Sequence, residues 1–290
     1  MNIISFDIEE WYLEKHFFGN RQEEYKQYDY YLQKILDKLD EKSIKATFFC
    51  LGGIAREFPD VVKEIAYRGH EVGCHSDVHA WLNRLIREEL MSDTKRAVDS
   101  LEDVLGKKVL SYRAPAFTIG DANRYAFEVL SACGIEHDAS VFPAVHSIGG
   151  FERFGEKTPC IIKVGGATIQ EFPICTTSMF GKEMAYSGGG YFRLFPLDFI
   201  KRQMSKNEYN MTYFHIGDLI KSAPLDRKTF EDYFKIPPTL KNRALRNLKS
   251  NIGKGDAVDK LFDLIDAFDF TSIEIASSQL DWSRRKVVKL

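Results

Sequence analysis

Short apolar runs alternate with helical patterns along this chain, and run after run stops at a residue able to do chemistry. Ile3-Ile4-Ser5-Phe6 leads into Asp7 and Glu9, the run ending at Cys74 into His75, and Leu110-Ser111-Tyr112 into Arg113. Ala167-Thr168-Ile169 is followed by Glu171, and Tyr213-Phe214 by His215. Alternating strand and helix signals are the signature of a parallel α/β fold. In a parallel β/α barrel the C-terminal strand ends all open onto one face, where active sites are built. Residues spread over most of the chain would then converge on one mouth.

The remaining elements follow the same alternation. Residues 29–39 read as a helix with Asp29 as N-cap, leading into the strand Ala46-Thr47-Phe48-Phe49-Cys50-Leu51. A helix over 59–67 should stop at Arg68-Gly69, where glycine can take the left-handed cap. A short run at 71–74 follows, then a charged helix over 85–105, a strand at 109–112, and a helix over 121–133 ended by Gly134. Residues 151–196 are richer in glycine and β-formers and read as strands and loops, with Ser187-Gly188-Gly189-Gly190-Tyr191-Phe192-Arg193 as a loop. A strand at 211–214 ends at His215. The basic segment 241–254 reads as a solvated loop or helix face, and a last helix over 257–268 precedes a strand near 270–275. The chain has 290 residues, 44% of them hydrophobic, with no internal repeat and no interdomain linker. A single domain over 1–290 is expected.

Charge and cysteine usage narrow the function. Lys+Arg 40 against Asp+Glu 42 leaves a net charge of -2, so bulk charge gives no polyanion-binding surface and no nucleic-acid partner is expected. The start, MNIISFDIEEWYLEK, has no basic region followed by a long apolar one and reads as a first strand, not a signal peptide. No stretch approaches the ~18 apolar residues of a membrane span. Five scattered cysteines without a CxxC read as buried, reduced thiols, and the expected location is the cytoplasm.

The segment Gly73-Cys74-His75-Ser76-Asp77-Val78-His79 sets two imidazoles four residues apart. In one helical turn they would share a face and could both donate nitrogen to a metal; otherwise they are two surface or capping histidines. The HExxH zincin pattern fails, because Ser76 stands where glutamate is needed. A carboxylate from the first strand end would complete a His₂-carboxylate set and leave a position open for water. Such ligation suits Zn²⁺ best, with Co²⁺, Ni²⁺, Mn²⁺ or Fe²⁺ able to substitute. Side chains alternate faces along an extended segment, so Asp7 and Glu9 should point one way and Glu10 away, toward solvent or the surrounding loops.

Phe6-Asp7-Ile8-Glu9, the stretch from Ala46-Thr47-Phe48-Phe49 to Gly69-His70-Glu71-Val72-Gly73, and His75-Ser76-Asp77-Val78-His79 stand in order along the chain, followed by Arg113-Ala114-Pro115 and Phe214-His215. In these motifs residues 3–275 resemble the polysaccharide deacetylase (NodB-like) family. Glu171-Phe172-Pro173 and the glycine stretch 187–193 are similar to a branch found with exopolysaccharide gene sets. The resemblance implies a distorted (β/α) TIM-like barrel that hydrolyses an N-acetyl group on an amino sugar of a glycan. It implies Glu9, His75 and His79 as metal ligands and Asp7 as general base, with Arg113 holding Asp7 ionised and oriented. It also implies that the Ala116 N–H stabilises the oxyanion, that His215 protonates the departing amine, and that Asp138 orients this histidine. Histidine titrates in the range such a proton donor needs.

Two positions depart from the family pattern. Glu9 stands where aspartate is usual, and Ile216-Gly217-Asp218 stands where a proline and often a glutamate follow the late histidine. Other residues have plainer readings: His70 as structural, His137 and His146 as surface or loop residues, Glu171 as a loop anchor as readily as a site residue. Tyr191 and Arg193 line a sugar groove or pack the glycine loop. A deformylase or ring-amide hydrolase on the same machinery, and a carbohydrate-binding pseudoenzyme, remain alternatives, the latter disfavoured by the joint presence of Asp7, Glu9, His75, His79, Arg113 and His215.

Overall fold

The computed structural model describes residues 1–290 except 146–147, 180, 222–224 and 235 and the side chain of Lys249, so His146 lies outside the described residues. Its strands are β1 (Asn2–Ile8), β2 (Thr47–Cys50), β3 (Glu71–Cys74), β4 (Ser111–Tyr112), β5 (His137–Asp138), β6 (Cys160–Val164), β7 (Ala167–Glu171), β8 (Thr176–Met179), β9 (Lys182–Ala185), β10 (Asn210–His215) and β11 (Val287–Lys289). Nine of them form one sheet in the order β10-β1-β2-β3-β4-β5-β7-β6-β11. Every neighbouring pair in it is parallel except β6 with β7. With helices between successive strands, this is a distorted (β/α) barrel, and β8 and β9 form a separate hairpin.

The inner strands β2 to β5 are buried along their whole length because both their faces are covered. Phe6 stacks on Phe48 with ring centroids 4.9 Å apart and meets Phe214 at 5.7 Å, so β1, β2 and β10 share one aromatic layer. The helix Gln22–Glu41 buries Tyr28, Leu32, Ile35, Leu36 and Leu39, a helical stripe against that layer. It begins well before the expected cap. Asp29 lies mid-helix, where its carboxylate accepts from Trp11 Nε1 at 3.0 Å, and the polar opening turns gave no apolar periodicity to announce the start.

The strand expected near 270–275 is a helix, Ile273–Gln279, capped by Ser272. Its first turn docks on the N-terminal mouth of the sheet. Ile273 N–H donates to Thr47 Oγ1 at 2.8 Å and Glu274 N–H to buried Glu71 at 2.9 Å, while Glu71 also accepts from the Thr47 and Ser111 hydroxyls. Thr271 keeps a single bridge to Ile3. His137 belongs to the same mouth: it is buried beside Ser111 Oγ at 3.2 Å, not a surface residue. His70 is buried and accepts from Ala46 N–H, as a structural histidine should. The glycine stretch also differs from its reading, since Gly189–Leu194 is helical. A Cβ at Gly188 would strike the Tyr213 ring and backbone, so glycine there lets this helix lie directly on β10. Cys50, Cys74, Cys160 and Cys175 are buried and Cys133 half-buried, all as free thiols.

Candidate active site

The C-terminal ends of β1, β2, β3, β4 and β10 open on the mouth opposite Glu71. Ladder register sets Asp7 beside His215. Asp7 Oδ2 and His215 Nε2 are 3.6 Å apart. Arg113, fully buried, donates from Nη1 to Asp7 Oδ1 at 2.8 Å and from Nε to the Ala139 carbonyl at 3.2 Å, with its guanidinium 4.3 Å over the Phe49 ring. A buried cation is tolerated only when paired and hydrogen-bonded. Arg113 satisfies both needs and fixes one oxygen of Asp7, leaving the other turned to His215.

His75 follows β3 directly, and the neighbouring strand β4 delivers Arg113 next to it. The Arg113 carbonyl lies 2.8 Å from His75 Nδ1, and since a carbonyl only accepts, Nδ1 donates and Nε2 keeps its lone pair. Nε2 of His75, a ligand nitrogen of His79 and a carboxylate oxygen of Glu9 gather within 4.8 Å of one another. Glu9 Oε2 is 2.7 Å from His79 Nε2 and 3.6 Å from His75 Nε2, yet finds no well-oriented hydrogen-bond donor among the described residues. Three acceptor atoms facing one another, one of them buried without a donor, fit a divalent cation. Burial pushes the Glu9 carboxyl up, but the neighbouring imidazoles of His79 and His215 outweigh it and hold Glu9 well below the usual carboxylate range.

The two histidines do not share a helical turn. They stand in a loop in which Ser76 and His79 adopt φ of 72° and 62°. Such left-handed conformations cost on the order of 1–3 kcal/mol each and persist only where the surroundings over-determine them. Here Ser76 Oγ accepts from Ala80 N–H at 3.0 Å, and buried Asp77 takes a two-pronged bond from Arg56 at 2.5 and 3.0 Å. The Ser76 and Asp77 carbonyls receive the Gly52 and Gly53 N–H groups. A Cβ at Gly52 would meet Ala97 and Asp77, and one at Gly53 the Tyr12 ring. Sequence reasoning missed these supports, although the glycine pair straight after a strand run was a signal available to it.

Asp138 does not orient His215. It lies at the end of β5, where it accepts from Ser140 Oγ at 2.6 Å and is held next to Glu171, its register partner on β7. Glu171 is buried and accepts from Val141 N–H at 3.1 Å, a loop anchor whose carboxyl burial and Asp138 push well up. The partner of His215 is Asp218, in the short turn that follows β10. Its Oδ2 lies 3.0 Å from Nδ1 and accepts the His215 backbone N–H at 3.2 Å. Arg193 Nε stands 3.2 Å from the other Asp218 oxygen, while its Nη1 donates to the Ser250 and Ile252 carbonyls at 2.9 and 3.1 Å. Arg193 thus backs Asp218. Glu10 turns to the loop after β10, one of the two directions expected for it, and is buried there, where Oε1 accepts the Gly217 N–H; burial, then the charge of Glu9, raises its carboxyl to about 7. Ala116 occupies the turn just past Arg113 in a left-handed conformation, φ 51°.

Burial disfavours a charged His215, but Asp218, Glu9 and Asp7 outweigh it and raise its pKa well above the ordinary 6.5. In the proton-donor role that the resemblance implies, His215 would work only while protonated, so activity would fall as pH rises through that pKa. Asp218→Asn removes the main raising partner, and the alkaline limb of kcat/KM should move to lower pH in a pH–rate profile. An unmoved limb would show that Asp218 does not set the His215 pKa.

Known families match this chain in two consecutive segments. Residues 26–137 match the model described as polysaccharide deacetylase, and residues 139–277 match a domain of unknown function, DUF3473. A Bacillus cereus peptidoglycan-N-acetylglucosamine deacetylase is 38% identical over 82 residues, 28% of this chain and 30% of that protein. A chitooligosaccharide deacetylase of Rhizobium leguminosarum bv. trifolii is 35% identical over 68 residues, 23% of this chain and 32% of the relative. The chain thus aligns with about a third of these curated relatives' length. Among solved structures, a Mycobacterium smegmatis protein assigned to the polysaccharide deacetylases superposes with a TM-score of 0.64 at 17% identity, covering 99% of this chain and 92% of its own, a likeness of fold.

Proposed function

The chain belongs to the polysaccharide deacetylase family, and we propose that it is a metal-dependent hydrolase removing N-acetyl groups from an amino sugar within a glycan or glycan precursor. The observation that carries the reading is the meeting of Asp7, fixed by buried Arg113, with His215 beside the donor set Glu9, His75 and His79. On this reading those three residues would hold a divalent ion, Zn²⁺ by donor chemistry. When bound, such an ion lowers the pKa of a water and polarises the acyl carbonyl.

The chain's own groups do the rest. Asp7 Oδ2 takes the proton of the attacking water, while Arg113 keeps the carboxylate from rotating away. The Ala116 N–H donates to the developing oxyanion. Asp218 fixes Nδ1 of His215, so that Nε2 presents a proton to the departing amine. Base and acid stand 3.6 Å apart on the same mouth, so both can reach one amide bond bound beside them. We also read residues 1–290 as one catalytic domain, because one sheet takes β2–β5 from the first matched segment and β7, β6 and β10 from the second. No helix among the described residues is long and apolar enough to cross a membrane, and the free cysteines support a cytoplasmic location.

Acetate release from N-acetylated chitooligosaccharides, measured with and without a chelator, tests the proposal, and a metal-replete protein that releases none from any N-acetylated glycan refutes it. The neighbouring glutamates sharpen the test. Glu9→Ala should lose its metal through gel filtration, whereas Glu10→Gln should keep both metal and most acetate release, because an amide oxygen can still accept the Gly217 N–H. Metal content per chain decides between them, and the reverse pattern would move the ligand to Glu10.

A further inference from the structure

The cleft with Glu9, Glu10 and His215 on its floor extends over about 560 Å³ to a wall formed by the helix Leu240–Asn251. This helix is turned opposite to an ordinary surface helix. Arg243, Arg246, Asn247 and Ser250 line the cleft, while Leu245 and Leu248 face solvent. Leu245 and Leu248 are thus given up to water, while half-buried Arg243 and the more exposed Arg246 stand at the cleft beside Leu240.

The carboxylates of the cleft are already engaged. Glu24 pairs with Arg21 at 3.3 Å, Asp218 with His215 and Arg193, Glu10 holds the Gly217 N–H, and Glu9 belongs to the ligand set. Arg243 and Arg246 have no carboxylate within ion-pair distance among the described residues. Arg243 donates from one Nη to the Leu225 carbonyl, and its Nε is buried with no hydrogen-bond partner among them. The Arg246 guanidinium lies 4.1 Å over the Phe234 ring. Lys254 is buried on the same wall, and burial, then the charge of Arg193, pushes its ammonium down to about 8. The buried, orphaned Arg243 Nε–H, with Arg246 beside it, is costly until an acceptor arrives, and an anion suits the charge best. Arginine forks match phosphate oxygens in pairs, and several cations on one wall favour a multiply charged group over a single carboxylate.

We propose that this wall is a subsite for a phosphate or diphosphate group joined to the amino sugar, so that the substrate is a phosphorylated glycan precursor. The substrate part rests on the deacetylase reading; the anion site does not. Titration calorimetry on the metal-loaded protein with N-acetylglucosamine 1-phosphate, N-acetylglucosamine, inorganic phosphate and glucuronate tests both. The sugar phosphate should bind at least tenfold more tightly than the neutral sugar or glucuronate, and Arg243→Gln/Arg246→Gln should erase that difference at an unchanged melting temperature. Arg243→Lys should keep most of it. Lys241→Gln, which removes a charge from the same helix outside the cleft, should bind as the parent does. Equal binding by the double variant places phosphate elsewhere, on the ligand set included, and overturns the site. An equal loss in Lys241→Gln reduces it to bulk charge. Binding of inorganic phosphate as tight as that of the sugar phosphate overturns the substrate part. Because binding is read without turnover, absent acetate release defeats the deacetylase reading alone, whereas equal acetate release from neutral and phosphorylated substrates defeats the subsite alone.

Discussion

His75→Ala or His79→Ala is expected to leave a folded protein that holds no metal and releases no acetate above background. Each substitution takes one donor from a set of three, and the two that remain cannot compete with water and buffer for a divalent ion. The fold should survive. The strands meeting at this mouth are held by the aromatic layer of Phe6, Phe48 and Phe214, and the loop carrying both histidines is fastened through Asp77 and Arg56. Metal analysis after gel filtration, acetate release and a melting curve together make the test. Chelator-treated parent protein should match the variants and regain activity when Zn²⁺ is restored. Full-rate hydrolysis by metal-free protein would dispose of the mechanism.

Asp7→Asn should keep its metal and lose most of its turnover. General-base catalysis typically contributes ~10²–10⁴-fold, so kcat should fall within that range. The variant is informative because its shape is preserved: asparagine Oδ1 can still accept from Arg113 Nη1. The lost charge also leaves Arg113 buried without its counter-ion, and breaking such a pair costs up to about 3–5 kcal/mol. A lower melting temperature is therefore expected with the rate loss, while metal content stays unchanged. His215→Ala should lose turnover similarly without destabilising Arg113. If Asp7→Asn sheds its metal, Asp7 is a ligand, and near-parental kcat would end its role as base.

The sequence revealed the strand ends and hid what lies behind them. Asp7, His75, Arg113 and His215 were legible because each follows a buried run, and in parallel ladders the next residue faces the common mouth. Asp138 also ends a strand, but the family resemblance alone selected it. Its side chain instead answers to its sheet neighbour Glu171, and strand order between β5 and β7 is not written in any local pattern. Asp218 was visible as a departure from the expected motif, but its role depends on a turn of a few residues whose shape no periodicity reports. The convergence of His75 and His79 was foreseen for the wrong reason, since a fastened left-handed loop, not a helical turn, brings them together. The stretch 187–193 misled through propensity. Glycines weaken a helix by ~1 kcal/mol each, yet packing on Tyr213 demands Gly188 at its start, and Gly189 takes a φ of 51° against the same ring.

The seating of β1 between β2 and β10 also governs when the site can come into being. Asp7 is synthesised before both strands that flank it, whereas its ladder neighbour His215 comes long after every other strand of the sheet except β11. Until then one edge of β1 lacks its partner, an open row of backbone groups able to recruit a strand from another chain. Contacts so distant in sequence close slowly, because loop entropy must be overcome before pairing rewards it. A chain stopped before β10 therefore carries Glu9, His75, His79 and Asp7 without His215 and with a bare sheet edge. Fragments that stop before β10 should be catalytically silent and prone to aggregate, and activity should appear only once β10 has been made.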